Sequence, residues 1–158
     1  LVQYFSALGN DSTSPHVHSI SYGDQREDQP AEDYKQRMNL EFQKVGTLGH
    51  SIIIASGDSG TGCDCTHHLL FVYYVLTDYL SFSLSVCWKF QASFPSTSPY
   101  VTAVGATRFI SGTSGPEAAV DNFGSGGGFS RSFVAPSYQK PFIQKYFQVA
   151  GSDLPSPR

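Results

Sequence analysis

Ser51-Ile52-Ile53-Ile54-Ala55-Ser56 runs straight into Gly57-Asp58-Ser59-Gly60, and this stretch decides the fold. A continuous apolar run stopped by a glycine turn reads as a strand covered on both faces, the habit of parallel sheets. Upstream, Asp28 to Leu48 places Tyr34, Met38, Phe42, Val45 and Leu48 on one face of a helix. Asp28 or Gln29 can cap it, Pro30 sits near its first turn, and Gly49 closes it. Earlier still, His16 to Tyr22 (HVHSISY) follows Pro15, is rich in β-branched and aromatic types, and ends at Gly23-Asp24, which predicts a strand. Strand, helix and strand in so short a span form a βαβ unit, so the fold class is α/β with a parallel sheet and a right-handed crossover. Gly57 to Gly60 then stands at the carboxyl end of a strand, where open α/β sheets hold ligands and chemistry.

Other elements follow outward. Leu1 to Leu8 spaces Leu1, Tyr4, Phe5 and Leu8 as a short amphipathic helix stopped by Gly9-Asn10. Tyr100 to Val104 (YVTAV) reads as another buried-type strand. Gly124 to Gly128 (GSGGG) leads into Phe129-Ser130. Pro141 opens a last helix whose apolar face is Phe142, Ile143, Tyr146 and Phe147.

Composition bounds the function. The 158 residues make one domain the expectation. Ten Lys+Arg against 13 Asp+Glu give a net charge of -3, which leaves no basic patch for nucleic acid. At 40% apolar and 15% charged, the chain is not compositionally disordered. Three cysteines, Cys63, Cys65 and Cys87, are an odd number, so an oxidising compartment would leave one thiol over or pair it outside the chain. Asn10-Asp11-Ser12 is a glycosylation sequon for a secreted parent. The chain has no initiator Met or signal-peptide pattern at Leu1 and no closing element at Arg158, as expected for a piece of a longer protein.

Residues 64–87 break the rhythm. Leu69 to Val86 is 18 residues with one charge, Asp78, and no Gly or Pro. A membrane span needs about 20 apolar residues, and an ionisable group in mid-membrane is costly, so Asp78 and the nearby Thr77, Ser81, Ser83 and Ser85 argue against one. A buried helix or strand pair is the other local reading.

Several motifs together carry a family resemblance: SPHVHSISYGD (14–24), YKQRMN (34–39), IIIASGDSGTGC (52–63), FPSTSPYVTAVGAT (94–107), SGGGFS (125–130) and PSYQK (136–140). In this order they resemble the subtilisin fold and, within it, the sedolisins or serine-carboxyl peptidases. The expected architecture is thus a partial subtilisin-like parallel sheet with flanking helices, residues 1–158 forming part of a sedolisin peptidase domain. Family members join the GC turn to the FP strand by a short loop, so the resemblance implies that 64–87 is an insertion. It further implies a serine-type peptidase that releases tripeptides from free N-termini at acid pH, in the lysosome.

The resemblance assigns roles residue by residue. Asp58 falls where the family places its oxyanion donor. A carboxylate cannot donate a hydrogen bond but a carboxylic acid can, which ties the step to acid. On preference alone Asp58 is also an ordinary turn residue. Ser21, Tyr22 and Gly23, with Gly126, Gly127 and Gly128, are expected to line the substrate backbone groove. The family's nucleophilic Ser lies after SGGGFS, and its Glu/Asp helix precedes Leu1, so neither is carried over. Asp24-Asp28 and Asp28-Glu32 have the right spacing but follow the substrate strand. Ser59 in GDSG imitates a trypsin-like nucleophile, but a buried parallel strand is the wrong setting. Ser114 in SGTS copies the family's nucleophile signature, yet precedes SGGGFS and reads as loop.

His16, His18, His50, His67 and His68 with Cys63 and Cys65 sketch a zinc cluster, but the spacing completes no standard four-ligand site. No metal or other cofactor is expected within this chain; calcium is implied for the complete family domain only. Cys63 matches a family cysteine whose disulfide partner lies beyond Arg158. The expected partner is a peptide or protein substrate. The alternative is a catalytically inactive truncated chain or pseudo-enzyme that at most binds peptide.

Overall fold

A computed structural model describes residues 1–61 and 91–151. The elements run α1 (Val2–Leu8), β1 (Val17–Ile20), α2 (Glu32–Thr47), β2 (Ser51–Ala55), β3 (Thr102–Val104), β4 (Thr107–Phe109), β5 (Glu117–Ala119), a 3₁₀ turn (Ser137–Gln139) and α3 (Lys140–Ala150). Strands β1, β2 and β3 form one parallel sheet in that order, with His18 beside Ile52 and Ile20 beside Ile54. The fold class is therefore α/β, and β1-α2-β2 is the βαβ unit its apolar periodicity predicts.

Phe5 and Leu8 of α1, Met38, Phe42 and Val45 of α2, and Ile52 and Ile54 of β2 form the core with Phe94. Phe5 meets Phe42 edge-on at 4.9 Å between ring centres. The polar groups that α2 buries are all partnered, as burial requires. Lys35 Nζ reaches Glu32 at 2.7 Å and Ser132 Oγ at 2.6 Å. Asn39 Oδ1 accepts from Ser98 Oγ at 2.6 Å, and Glu41 meets Arg37 at 2.6 Å and Lys44 at 3.1 Å.

A second set of contacts ties distant loops together. Asp24 and Phe94 exchange backbone hydrogen bonds of 2.7 and 3.0 Å, and Glu27 N–H donates to Ala92 O at 2.8 Å. Gln91 N–H donates to Thr61 O at 2.5 Å, so positions 61 and 91 stand side by side.

The structure corrects three readings and adds to a fourth. Strand β2 is covered on one face only: Ile52 and Ile54 are buried, while Ser51 and Ala55 are exposed and Ile53 is half-buried. Its second face opens onto a groove. Strand β3 is exposed along its length, because it stands at the sheet edge with a single neighbour. Helix α2 begins at Glu32 with Ala31 at the N-cap. Asp28 cannot cap it, since its carboxylate accepts from Gln91 Nε2 at 2.7 Å and pairs with Arg26 at 3.3 Å. Glu32 and Asp33 instead complement the helix dipole in the first turn. In α3 the predicted face exists but Phe142, Tyr146 and Phe147 stay exposed. Their contacts are local, with Phe129 stacked on Phe147 at 5.4 Å.

The β4–β5 hairpin is not anticipated by the sequence reading; Ser114 lies in its connecting loop. Residues 64–87, Cys63 and the His67-His68 pair lie outside the described residues. Among the described residues no helix is long and apolar enough to cross a membrane.

One-sided burial predicts an asymmetry. Ile54→Val, in the core, should cost about 0.5–1.5 kcal/mol, and Ile53→Val distinctly less. Urea midpoints of the two variants check this; equal losses would mean that the second face is packed too.

Candidate functional site

The site begins where β2 ends. Gly57 has φ of +99° and Gly60 of +61°, a left-handed turn that L-residues avoid. A side chain at Gly57 would collide with Ser93 Oγ and come within 3.1 Å of Gln25 Oε1. That closeness is functional, because Gln25 Oε1 accepts the Asp58 N–H at 3.3 Å. Ser93 Oγ in turn donates to the Gln25 carbonyl at 3.3 Å. The loop after β1 thus fixes the backbone of Asp58 while its side chain remains exposed.

Asp58 and Ser21 line one groove of about 250 Å³. Its floor is the uncovered face of the sheet: Ser19, Ile53, Ala55 and Val104, closed by Gly57 and Gly105. Gly126, Gly127 and Gly128 line a second, larger cavity of about 580 Å³ with Thr97, Phe129 and Phe133. Ser56 lines both. Tyr22 is exposed, and Gly23 packs against Phe94 and Pro95; neither lines the two cavities. Asp24 stands close enough to Tyr34 to assist burial in pushing the Tyr34 hydroxyl above its ordinary range.

The glycine segment is stitched to the Asp58 turn by its backbone. Gly126 N–H donates to Gly57 O at 2.6 Å, Gly127 N–H to Gly60 O at 3.1 Å, and Gly60 N–H to Gly124 O at 2.7 Å. Ser125 Oγ accepts from Ala106 N–H at 2.9 Å. These bonds leave the Ser56 and Thr97 hydroxyls with no hydrogen-bond partner among the described residues.

Two further residues hold the site, and sequence reasoning missed both. Gln25 fixes Asp58 as described. Glu27, 3% exposed, accepts from Ser130 Oγ and from Arg131 N–H at 2.8 Å, anchoring the end of the glycine segment. The Ser59 backbone forms a bridge with Gly124, and Ser114 hangs in an exposed loop. Among the described residues no three His, Cys, Asp or Glu side chains are grouped to hold a metal ion.

No family model matches the chain. It is 40% identical over 154 residues to tripeptidyl-peptidase 1 of Rattus norvegicus, covering 98% of this chain and 24% of the relative. It is 39% identical over 155 residues to tripeptidyl-peptidase 1 of Homo sapiens, with the same coverage. The chain thus spans about a quarter of the length of the curated relatives it matches. Among solved structures it superposes on Pseudomonas sedolisin, a serine-carboxyl proteinase complexed with two molecules of pseudo-iodotyrostatin. That likeness has a TM-score of 0.60 and 25% identity, over 88% of this chain and 36% of the other.

Proposed function

We propose, for a chain whose sequence and fold belong with the sedolisin peptidases, that it supplies the oxyanion residue and part of the substrate groove of an acid-working tripeptidyl-peptidase. The observation that carries this reading is that Asp58 and Ser21 share one groove at the carboxyl end of a parallel sheet. In the complete domain a Ser nucleophile attacks the scissile carbonyl, a Glu accepts its proton, and an Asp orients that Glu. Asp58, as the unionised acid, donates to the oxygen that becomes negative. Ser21 on one side and Gly126 to Gly128 on the other hold the substrate backbone, with Tyr22 and Gly23 continuing the strand end beyond the groove. The unpartnered Ser56 hydroxyl, between the two cavities, supports a polar ligand passing there. Asn10, exposed at the end of α1, is the glycan acceptor of a lysosomal parent, and Cys63 pairs beyond this chain.

The chain alone should not turn over. Among the described residues neither Ser59 nor Ser114 is hydrogen-bonded to a base that could activate it, and an activated nucleophile needs one. The purified chain, incubated with a fluorogenic tripeptide-amide from acid to neutral pH, should be inert. Turnover that disappears in Ser114→Ala or Ser59→Ala would overturn the placement of the nucleophile elsewhere. The positive test is a hybrid in which this chain replaces the matching quarter of tripeptidyl-peptidase 1. It should cleave the same substrate in acid; a folded but inactive hybrid would refute the reading.

A further inference from the structure

Three imidazoles lie together at the amino ends of β1 and β2, whereas Asp58 follows the carboxyl end of β2. His18, on β1, is buried at 4% exposure. Its Nδ1 meets the Tyr4 hydroxyl of α1 at 2.9 Å, and its Nε2 meets His50 Nδ1 at 3.0 Å. His50 Nδ1 also lies 2.9 Å from the Pro15 carbonyl, and the His18 and His50 rings stack at 5.3 Å. His16 completes the group, its ring 5.3 Å from that of His50. Among the described residues no carboxylate, lysine or arginine bonds to any of these rings.

The partners assign the protons. A carbonyl only accepts, so His50 Nδ1 carries a hydrogen, which it shares between Pro15 O and the lone pair of His18 Nε2. His18 Nδ1 then carries its single hydrogen and donates to Tyr4 Oη. In this state both ring nitrogens of the buried His18 are satisfied. A second proton on His18 must go to Nε2, where it would face the His50 N–H at 3.0 Å, donor against donor.

We infer that the Tyr4–His18–His50 chain is an acid-released latch that holds helix α1 on the sheet. The inference stands apart from the peptidase reading. Burial, and then the charge of His50, hold the His18 imidazole below its ordinary value of 6.5. The folded chain therefore keeps His18 neutral at a pH where the released imidazole takes a proton. The latch is fully closed above the ordinary value and weakens as the pH falls below it. Helix α1 is the part released, because it is short, has no side-chain cap, and a His18 ring driven away from the His50 N–H withdraws its Nδ1 from the Tyr4 hydroxyl. Helix α2 is longer and keeps the ion pairs of Glu41 with Arg37 and Lys44.

Amide hydrogen exchange on the full chain tests this, at about pH 7.5 and about pH 5, on either side of the imidazole range. Protection of the α1 amides, taken relative to α2 at the same pH, should fall several-fold in acid, because the released imidazole takes a proton that the folded one refuses. Tyr4→Phe should lower α1 protection already at neutral pH. His50→Ala, which removes the opposing N–H, should shrink the acid effect. Nitrogen NMR of the wild-type chain should find His18 protonated at Nδ1 alone at neutral pH, a readout that needs no variant to fold. Equal relative protection at the two pH values, an undiminished acid response in His50→Ala, or a hydrogen on His18 Nε2 at neutral pH would each overturn the inference.

Discussion

Replacing Asp58 by alanine in the hybrid enzyme is expected to lower kcat by about 10²–10³-fold with little change in KM, the loss typical of one oxyanion donor. The variant is clean because the turn is held by the Asp58 backbone, not its side chain: the N–H bonds to Gln25 Oε1. The side chain is exposed, so its removal leaves no buried cavity. Asp58→Asn replaces an acid that donates only when protonated with an amide that donates at every pH. It should therefore retain turnover and relax the acid requirement of this step. Full kcat in Asp58→Ala would reduce Asp58 to an ordinary turn residue.

Gly126→Ala should unfold the site outright. A methyl group there would overlap the Ser56 carbonyl and stand 2.9 Å from Gly57 N, all backbone that cannot step aside. Relief would require breaking the Gly126–Gly57 and Gly127–Gly60 hydrogen bonds that join the glycine segment to the Asp58 turn. The expected loss exceeds about 3 kcal/mol, the upper end for overpacked sites. Gly127→Ala is the matched control, because nothing lies within 4 Å of the added methyl. Urea unfolding of the pair should separate them widely. A Gly126→Ala chain as stable as Gly127→Ala would show that the segment does not approach the turn.

What the sequence disclosed follows from how far each signal reaches. The 51–60 stretch was legible because a strand and its turn are written in adjacent residues. Helix α2 was legible because Met38, Phe42 and Val45 repeat with the helical period. Periodicity names a face but not its cover, so the apolar face of α3 was legible while its exposure was not. The same holds for β2, whose isoleucines alternate between the core and the groove. The β4 and β5 strands have three residues each, too short for a period to show. Gln25 and Glu27 sit in a polar loop that looks like any other. Their partners, Asp58 and Ser130, are 33 and 103 residues away, and nothing local marks the pairing. The family resemblance supplied Asp58, but not the residue that holds it.

The hydrogen bond between Thr61 and Gln91 makes the backbone leave and return at one point. Whatever is spliced in there need not shift the register of β2, of Phe94 beside Asp24, or of the Asp58 turn. Closing a longer excursion costs only about 0.6 kcal/mol per doubling of its length. This position is accordingly a permissive port for engineering. A reporter domain whose termini lie close together, grafted between 61 and 91, could be carried without altering the scaffold on either side. Evolution would meet the same tolerance there: added length falls outside the geometry that selection on the groove can sense.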